Sequence, residues 1–458
     1  MITIANKERL LQNGETPLDQ EARALALTSI ESAVNDADPK RILESRFLLK
    51  NSTIKINSHS FDLQRFRRIY VIGGGKASGS MAEVVEQKLG RRIKDGLVIV
   101  PHGSKDKTDV IKLHEASHPI PDEAGVKGAK SILEMVREAK QDDLIICLIS
   151  GGGSSLMPLP RDGIPIADKR EITEALLKCG ATIGEINTVR KHISDIKGGW
   201  LAKNAYPATI VNLILSDVVG DRLEFIASGP TVPDPTTFSD AITVLKKYAL
   251  WDTTPKSIGK LLSDGENHLV PETPKPNDDA FKKVCNVIVG SNRTASLAAY
   301  KHLNSTGLNA VLLTSTLEGE ARCVGAILAS IAHEVSSSDN PVQKPAGIVA
   351  GGETTVTVTG KGIGGRNQEL ALAAALRLDG MDGVALASAS TDGVDGPTDA
   401  AGAIVDGKTL VRARKMGLTP EGHLADNDAY SFFLQLGDLI LTGPTGTNVN
   451  DVSTIVVR

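Results

Sequence analysis

Short apolar runs rich in β-branched residues recur along this chain, each ending in a glycine or small polar loop and giving way to a helical pattern. Residues 69–72, 97–100, 144–149 and 210–215 are runs of this kind, and each predicts one strand–helix unit. Because they are apolar throughout rather than alternating, they predict a parallel sheet covered by helices on both faces. Ahead of them Leu18, Ala22, Leu25, Ala26 and Ile30 recur at helical spacing until Asp38 and Pro39 break the run, which predicts a helical cover. Between 265 and 279 the pattern lapses into Pro271, Pro274, Pro276 and Asn277. This is the expected boundary, giving domains 1–268 and 269–458. The pattern restarts at 287–289, 310–313, 347–350, 384–387 and 438–441, while 354–359 alternates Val and Thr as an edge strand does. The second domain is therefore also α/β, with a mixed sheet.

Composition narrows the function classes. The chain has 458 residues, 41% hydrophobic and 23% charged, enough for two or three cores. A formal net charge of -4 gives no general attraction to nucleic acid or acidic membranes, so any anion site must be local. Cys147, Cys179, Cys285 and Cys323 are widely spaced and support neither a disulfide framework nor a zinc knuckle, which fits a reducing cytoplasm. No apolar leader or membrane-length run is present.

The candidate chemistry lies in loops after the predicted strands, where ligands of open parallel sheets bind. Gly73, Gly74 and Gly75 run into Lys76, and Gly364 and Gly365 run into Arg366. Glycines permit close backbone approach, and a cation in a first helical turn suits an anion already drawn to the free N–H groups there. One phosphate-bearing ligand gripped between the two halves is the expectation. Ser150, Gly151, Gly152, Gly153 and Ser154 follow an apolar strand and offer consecutive N–H groups and hydroxyls to a phosphate. A dinucleotide fingerprint is disfavoured, because the strand at 97–100 ends in Pro101, His102 and Gly103 with no acid for a ribose. His114, Glu115 and His118 spell H-E-x-x-H, but Pro119 and Pro121 disfavour the helix that zinc chemistry needs. Asn187, Arg190, Lys191, His192, Ser194 and Lys197 form a basic stretch that reads equally as a site or a solvated face. Asp217, and Asp392 with Asp395 and Asp399, sit on strand-end loops of the sort that hold Mg²⁺ through water and phosphate, although turns use the same residues.

Taken together these segments resemble the glycerate 2-kinases of the MOFRL family, over nearly the whole chain. The most specific matches are the Gly-Gly-Arg-Asn-Gln-Glu run at 364–369 and the run from Thr391 to Gly402. The resemblance implies two α/β/α domains, the first Rossmann-like and the second mixed, with the active-site cleft between them. It implies transfer of the γ-phosphoryl of ATP to the 2-hydroxyl of D-glycerate with Mg²⁺. Lys76 and Arg366 fall on the family's functional cations. Gly74, Gly75, Ser150, Gly151, Gly152, Gly153, Ser154, Arg190, Asn292, Glu353 and Asn367 are the expected nucleotide- or substrate-binding residues, and Asp217 and Asp392 the expected metal ligands. Some members bear the label hydroxypyruvate reductase, an NAD(P)-dependent alternative, and a non-catalytic phosphosugar sensor is a third. No nucleic-acid or membrane partner is expected, and a homodimer is compatible with the resemblance.

Overall fold

The computed structural model describes residues 1–458. The chain divides into a middle unit, residues 39–289, and a split unit built from 1–38 and 290–458.

The middle unit opens with helix Pro39–Arg46, followed by a small antiparallel sheet of β1 (Phe47–Lys50), β2 (Thr53–Ile56) and β3 (His59–Asp62). Its main sheet contains β4 (Arg68–Gly74), β5 (Ile93–Pro101), β6 (Ile111–Ala116), β7 (Asp143–Ile149), β8 (Thr209–Leu215) and β9 (Val284–Gly290), in the order β6-β5-β4-β7-β8-β9. The β4–β5, β4–β7, β5–β6 and β7–β8 ladders are parallel. Every residue of β7 is buried, as a continuous apolar run demands of a strand covered on both faces. From β4 the chain winds outward through β5 and β6, then returns to place β7 on the other side of β4. The gap between β4 and β7 is thus the switch point at which such sheets bind ligands, and it lies below the two glycine loops.

The split unit has β10 (Asn309–Leu317), β11 (Ala346–Gly352), β12 (Val384–Ser390), β13 (Gly402–Asp406), β14 (Leu439–Ile440) and β15 (Asp451–Val457), in the order β10-β11-β15-β12-β13-β14. Only β10–β11 is parallel, so the sheet is mixed as expected. The last strand, β15, is central: Asp451 opens it directly opposite Gly352 and Ser390, which end β11 and β12.

Two expectations change. The helical cover belongs to the split unit, where helix Pro17–Asp36 packs on helix Asn292–Ser305 and on β12. Thr16 and Asp19 close a capping box at its start, and Asp19 also accepts the Gly383 N–H. Arg23, fully buried, pairs with Asp406 (2.6 Å) and Asp438 and donates to the Leu10 carbonyl. Helical periodicity reveals an apolar face but not the sheet it will meet. The expected boundary at 268/269 also moves, to 289/290. The Pro-rich stretch is hydrogen-bonded cover: Asp234 N–H donates to the Pro274 carbonyl, and Phe238 N–H to Glu272 Oε2. The strand read at 287–289 is β9, the edge of the first sheet, and 354–359 forms a single bridge at Thr355 rather than a strand.

Candidate active site

The two loops over the β4–β7 gap are stitched together. Lys76 N–H donates to the Gly151 carbonyl (2.8 Å), and Ser150 Oγ accepts the Ala77 N–H (3.0 Å). The glycines serve this contact: a Cβ on Gly75 would fall 2.1 Å from Ser150 Oγ, and one on Gly73 2.0 Å from the Leu148 carbonyl oxygen. Gly74, whose Cβ would meet Met157, fits the same close packing. The glycine cluster expected to approach a ligand therefore approaches the neighbouring strand, and it presents Lys76, exposed and without an acidic partner, above the turn.

Around that turn stand two further groups. A Cβ on Gly151 would lie 2.3 Å from Asp217 Oδ2, and one on Gly152 would lie 2.9 Å from His118 Nε2 and 3.2 Å from Lys76 Cγ. Burial pushes the Asp217 carboxyl up, against the pull of the Lys76 charge. Burial and then Lys76 pull His118 down, which leaves it a neutral imidazole at pH 7. His114 lies in β6 with Nε2 on the Ala124 carbonyl, so the H-E-x-x-H pair spans a strand and a loop rather than one helical face.

At the far end of the turn Ser154 Oγ accepts from Arg190 Nη2 (2.5 Å) and lies 2.9 Å from Lys197 Nζ and 3.0 Å from Ser228 Oγ. Lys169, 3% exposed on helix Ile166–Lys178, adds a third cation to this group. The basic stretch is thus partly a site, with Asn187 and Arg190 on helix Ile183–His192 facing Ser228 and Ser154. In contrast, Lys191 pairs with Asp234 and His192 with Glu272. Sequence reading missed Lys169 and Ser228. The signal for Lys169 is its spacing with Ile166, Ile172 and Leu176, which puts a lysine on the buried face of an amphipathic helix.

In the split unit Arg366 opens helix Arg366–Leu378 and is ion-paired: Nε and Nη2 form a fork on Asp451 (2.5 and 3.0 Å), and Nη1 meets Glu353 (2.5 Å). Burial opposes its charge, but Asp451 and Glu353 outweigh this and raise its pKa. The anion that a first-turn cation requires is internal. Asp395 caps the same helix, accepting from Asn367 N–H and Gln368 N–H, and burial with the Asp451 charge pushes it up to about 7. Asn367 bonds Asp395 and Ser388, and Asn292 holds the Val449 and Asp451 carbonyls. Asp392 Oδ1 accepts from Ser390 Oγ and Val394 N–H, a turn in which the carboxylate holds its own backbone.

Residues 25–263 match a family described as a domain of unknown function, DUF4147, and residues 346–451 match the MOFRL family. The D-glycerate 2-kinase of Thermotoga maritima is 46% identical over 84% of this chain and 89% of its own length. This chain belongs to the MOFRL family of glycerate kinases. A crystal structure of glycerate kinase from Thermotoga maritima superposes with a TM-score of 0.85 at 41% identity, covering 95% of this chain and 99% of the other. A relative from Agrobacterium vitis, 40% identical over 96% of this chain and 95% of its own length, carries a provisional hydroxypyruvate reductase name. Family members therefore bear both names, and the residues must separate them.

Proposed function

We infer that this chain is a glycerate 2-kinase, which transfers the γ-phosphoryl group of ATP to the 2-hydroxyl of D-glycerate and releases ADP. Beyond its kinship with the Thermotoga kinase, the observation that carries the reading is the cation-rich turn at the switch point of the parallel sheet. Phosphoryl transfer asks a protein mainly for positioning and charge neutralisation, and this turn supplies both. Lys76, held by its backbone on Gly151 and free at its ammonium, neutralises the transferring group. Asp217 beside it, with a raised pKa, orients the attacking hydroxyl or accepts its proton. The reductase reading lacks a ribose acid, since β5 ends at Pro101 and His102 follows.

Mg²⁺ fits Asp217 better than Asp392. No three His, Cys, Asp or Glu side chains are grouped to hold a metal by protein ligands alone, which suits an ion carried mainly by water and phosphate. Asp217 makes no side-chain ion pair, whereas one oxygen of Asp392 is committed to its turn. The ion, when bound, neutralises charge on the β- and γ-phosphates.

The test is incubation with ATP, Mg²⁺ and D-glycerate followed by ³¹P NMR, with 2-phosphoglycerate as the expected product. The 3-isomer refutes the regiochemistry. Reduction of hydroxypyruvate by NAD(P)H without kinase activity overturns the reading. In the same assay Asp217→Asn should raise the Mg²⁺ needed for half-maximal rate by roughly 10-fold or more, and Asp392→Asn should leave it nearly unchanged.

A further inference from the structure

Lys197 is 1% exposed, and no carboxylate pairs with it, with Arg190 or with Lys169. The charged groups that act on it are Arg190 and Lys169, both positive, while the turns carrying Ser154 and Ala227 bring only carbonyls and hydroxyls. Buried cations are ordinarily paired, because an unpaired charge costs several kcal/mol to desolvate. Asp195 supplies a negative charge toward Lys169, but Lys197 and Arg190 face none, and that pair describes a site that receives its anion from outside.

The hydrogen bonds fit that description. Ser228 Oγ–H donates to Asn187 Oδ1 (2.9 Å), so the 3.0 Å contact between the two serines has Ser154 as its donor. Lys197 Nζ lies within reach of three oxygens: the Ser154 carbonyl (2.9 Å), the Ala227 carbonyl (3.3 Å) and Ser154 Oγ (2.9 Å). An ammonium meets all three with its three N–H donors, and Ser154 Oγ then accepts from Lys197 and Arg190 while donating to Ser228. Arg190 Nε and Asn187 Nδ2 are buried with no partner, and Asn187 is 1% exposed. Ala227 and Ser228, at φ of 50° and 61°, keep a left-handed backbone that costs non-glycine residues energy.

We propose that Ser154, Arg190 and Lys197 form the subsite for the carboxylate of the hydroxy-acid acceptor, leaving Lys76 and Asp217 at the other end of the same turn for the phosphoryl group. The inference rests on the glycerate-kinase reading. A planar Arg fork beside a hydroxyl matches a carboxylate, and the absence of a metal-holding acid among these cations favours a carboxylate over a metal-laden triphosphate. Desolvation and then its two cationic neighbours push the Lys197 pKa down, and a carboxylate bound beside it acts in the opposite direction.

Calorimetry of D-glycerate binding to the full chain without nucleotide tests this, run at pH 8 in two buffers of different ionisation enthalpy. Any proton exchanged on binding should be taken up rather than released, since a bound carboxylate favours the charged form of Lys197. Lys197→Met should weaken glycerate binding at least tenfold and abolish any uptake, with the KM for ATP within twofold of wild type. Ser154→Ala, a smaller change, carries the affinity test if Lys197→Met does not fold. Unchanged glycerate affinity in both folded variants overturns the subsite, and a rise confined to the KM for ATP reassigns these cations to the nucleotide. Proton uptake persisting in Lys197→Met removes Lys197 from the linkage. A wild type that makes no phosphoglycerate sinks the kinase reading instead, so the two failures are separable.

Discussion

Lys76 and Arg366 each follow a glycine cluster and each stand at the start of a helix, yet their surroundings are opposite. Lys76 is exposed and has no acid within pairing distance, whereas Arg366 is forked onto Asp451 and pinned to Glu353. Equal motifs in the sequence thus yield one cation with no acid in reach and one held by two carboxylates of its own unit. A free cation is detected by lost catalysis and a paired one by lost stability, and three measurements divide along that line.

The largest effect belongs to Lys76→Ala. Loss of a cation that stabilises phosphoryl-transfer charge lowers turnover by on the order of 10³ to 10⁵, with stability within about 0.5 kcal/mol of wild type, as for an ordinary surface change. A folded variant retaining more than about a tenth of the turnover has lost less than ~1.4 kcal/mol of barrier stabilisation, and Lys76 then has no catalytic role. Arg366→Ala comes next. It strands Asp451, 6% exposed, without its counter-charge, and should cost about 3 kcal/mol, at the lower end of what breaking a buried pair costs. Urea unfolding reads this directly. An unchanged midpoint would place Arg366 beside Lys76 as a free cation and erase the contrast.

The smallest effect is a slope. The Asp395 carboxyl is held at about 7 by burial and by Asp451, above its unfolded value of about 4. A folded state that binds the proton more tightly loses stability as pH rises from about 4 to about 7. Asp395→Asn removes that contribution, so urea midpoints at pH 5 and pH 8 should lie closer together in the variant than in the wild type. An equal spread would show that Asp395 does not titrate differently in the two states.

Most of the sheet was legible because buried parallel strands are written as unbroken apolar runs, and the runs at 69–72, 144–149 and 210–215 lie within β4, β7 and β8. β15 was not read, since its central place depends on a pairing with β11 and β12 more than sixty residues away in sequence. The strand β6 was obscured by its polar residues Lys112, His114 and Glu115. At the site, the 150–154 turn follows β7 as the local pattern implies, whereas Lys76 lies just before the N-cap Ala77 rather than inside the first helical turn. Arg366 could not be judged alone, because its partner Asp451 arrives on a distant strand. Lys197 could not be told from a solvated lysine, because burial is decided by how its own turn and the Ala227 turn pack.

The division of the chain sets a timetable for synthesis. The middle unit is contiguous, whereas the split unit needs both its first 38 residues and its last strands. At 5–20 residues per second, residue 38 leaves the ribosome roughly 20 to 80 s before the final strand is made. During that wait helix Pro17–Asp36 has neither β12 nor Asn292–Ser305 to cover Ala22, Ala26 and Ile30, and Arg23 has neither aspartate. The middle unit can close first and carry this unfinished helix at its N-terminal end. A ribosome-bound nascent chain stopped near residue 330 should therefore show protease resistance in 39–289 alone, with cleavage sites open before residue 38.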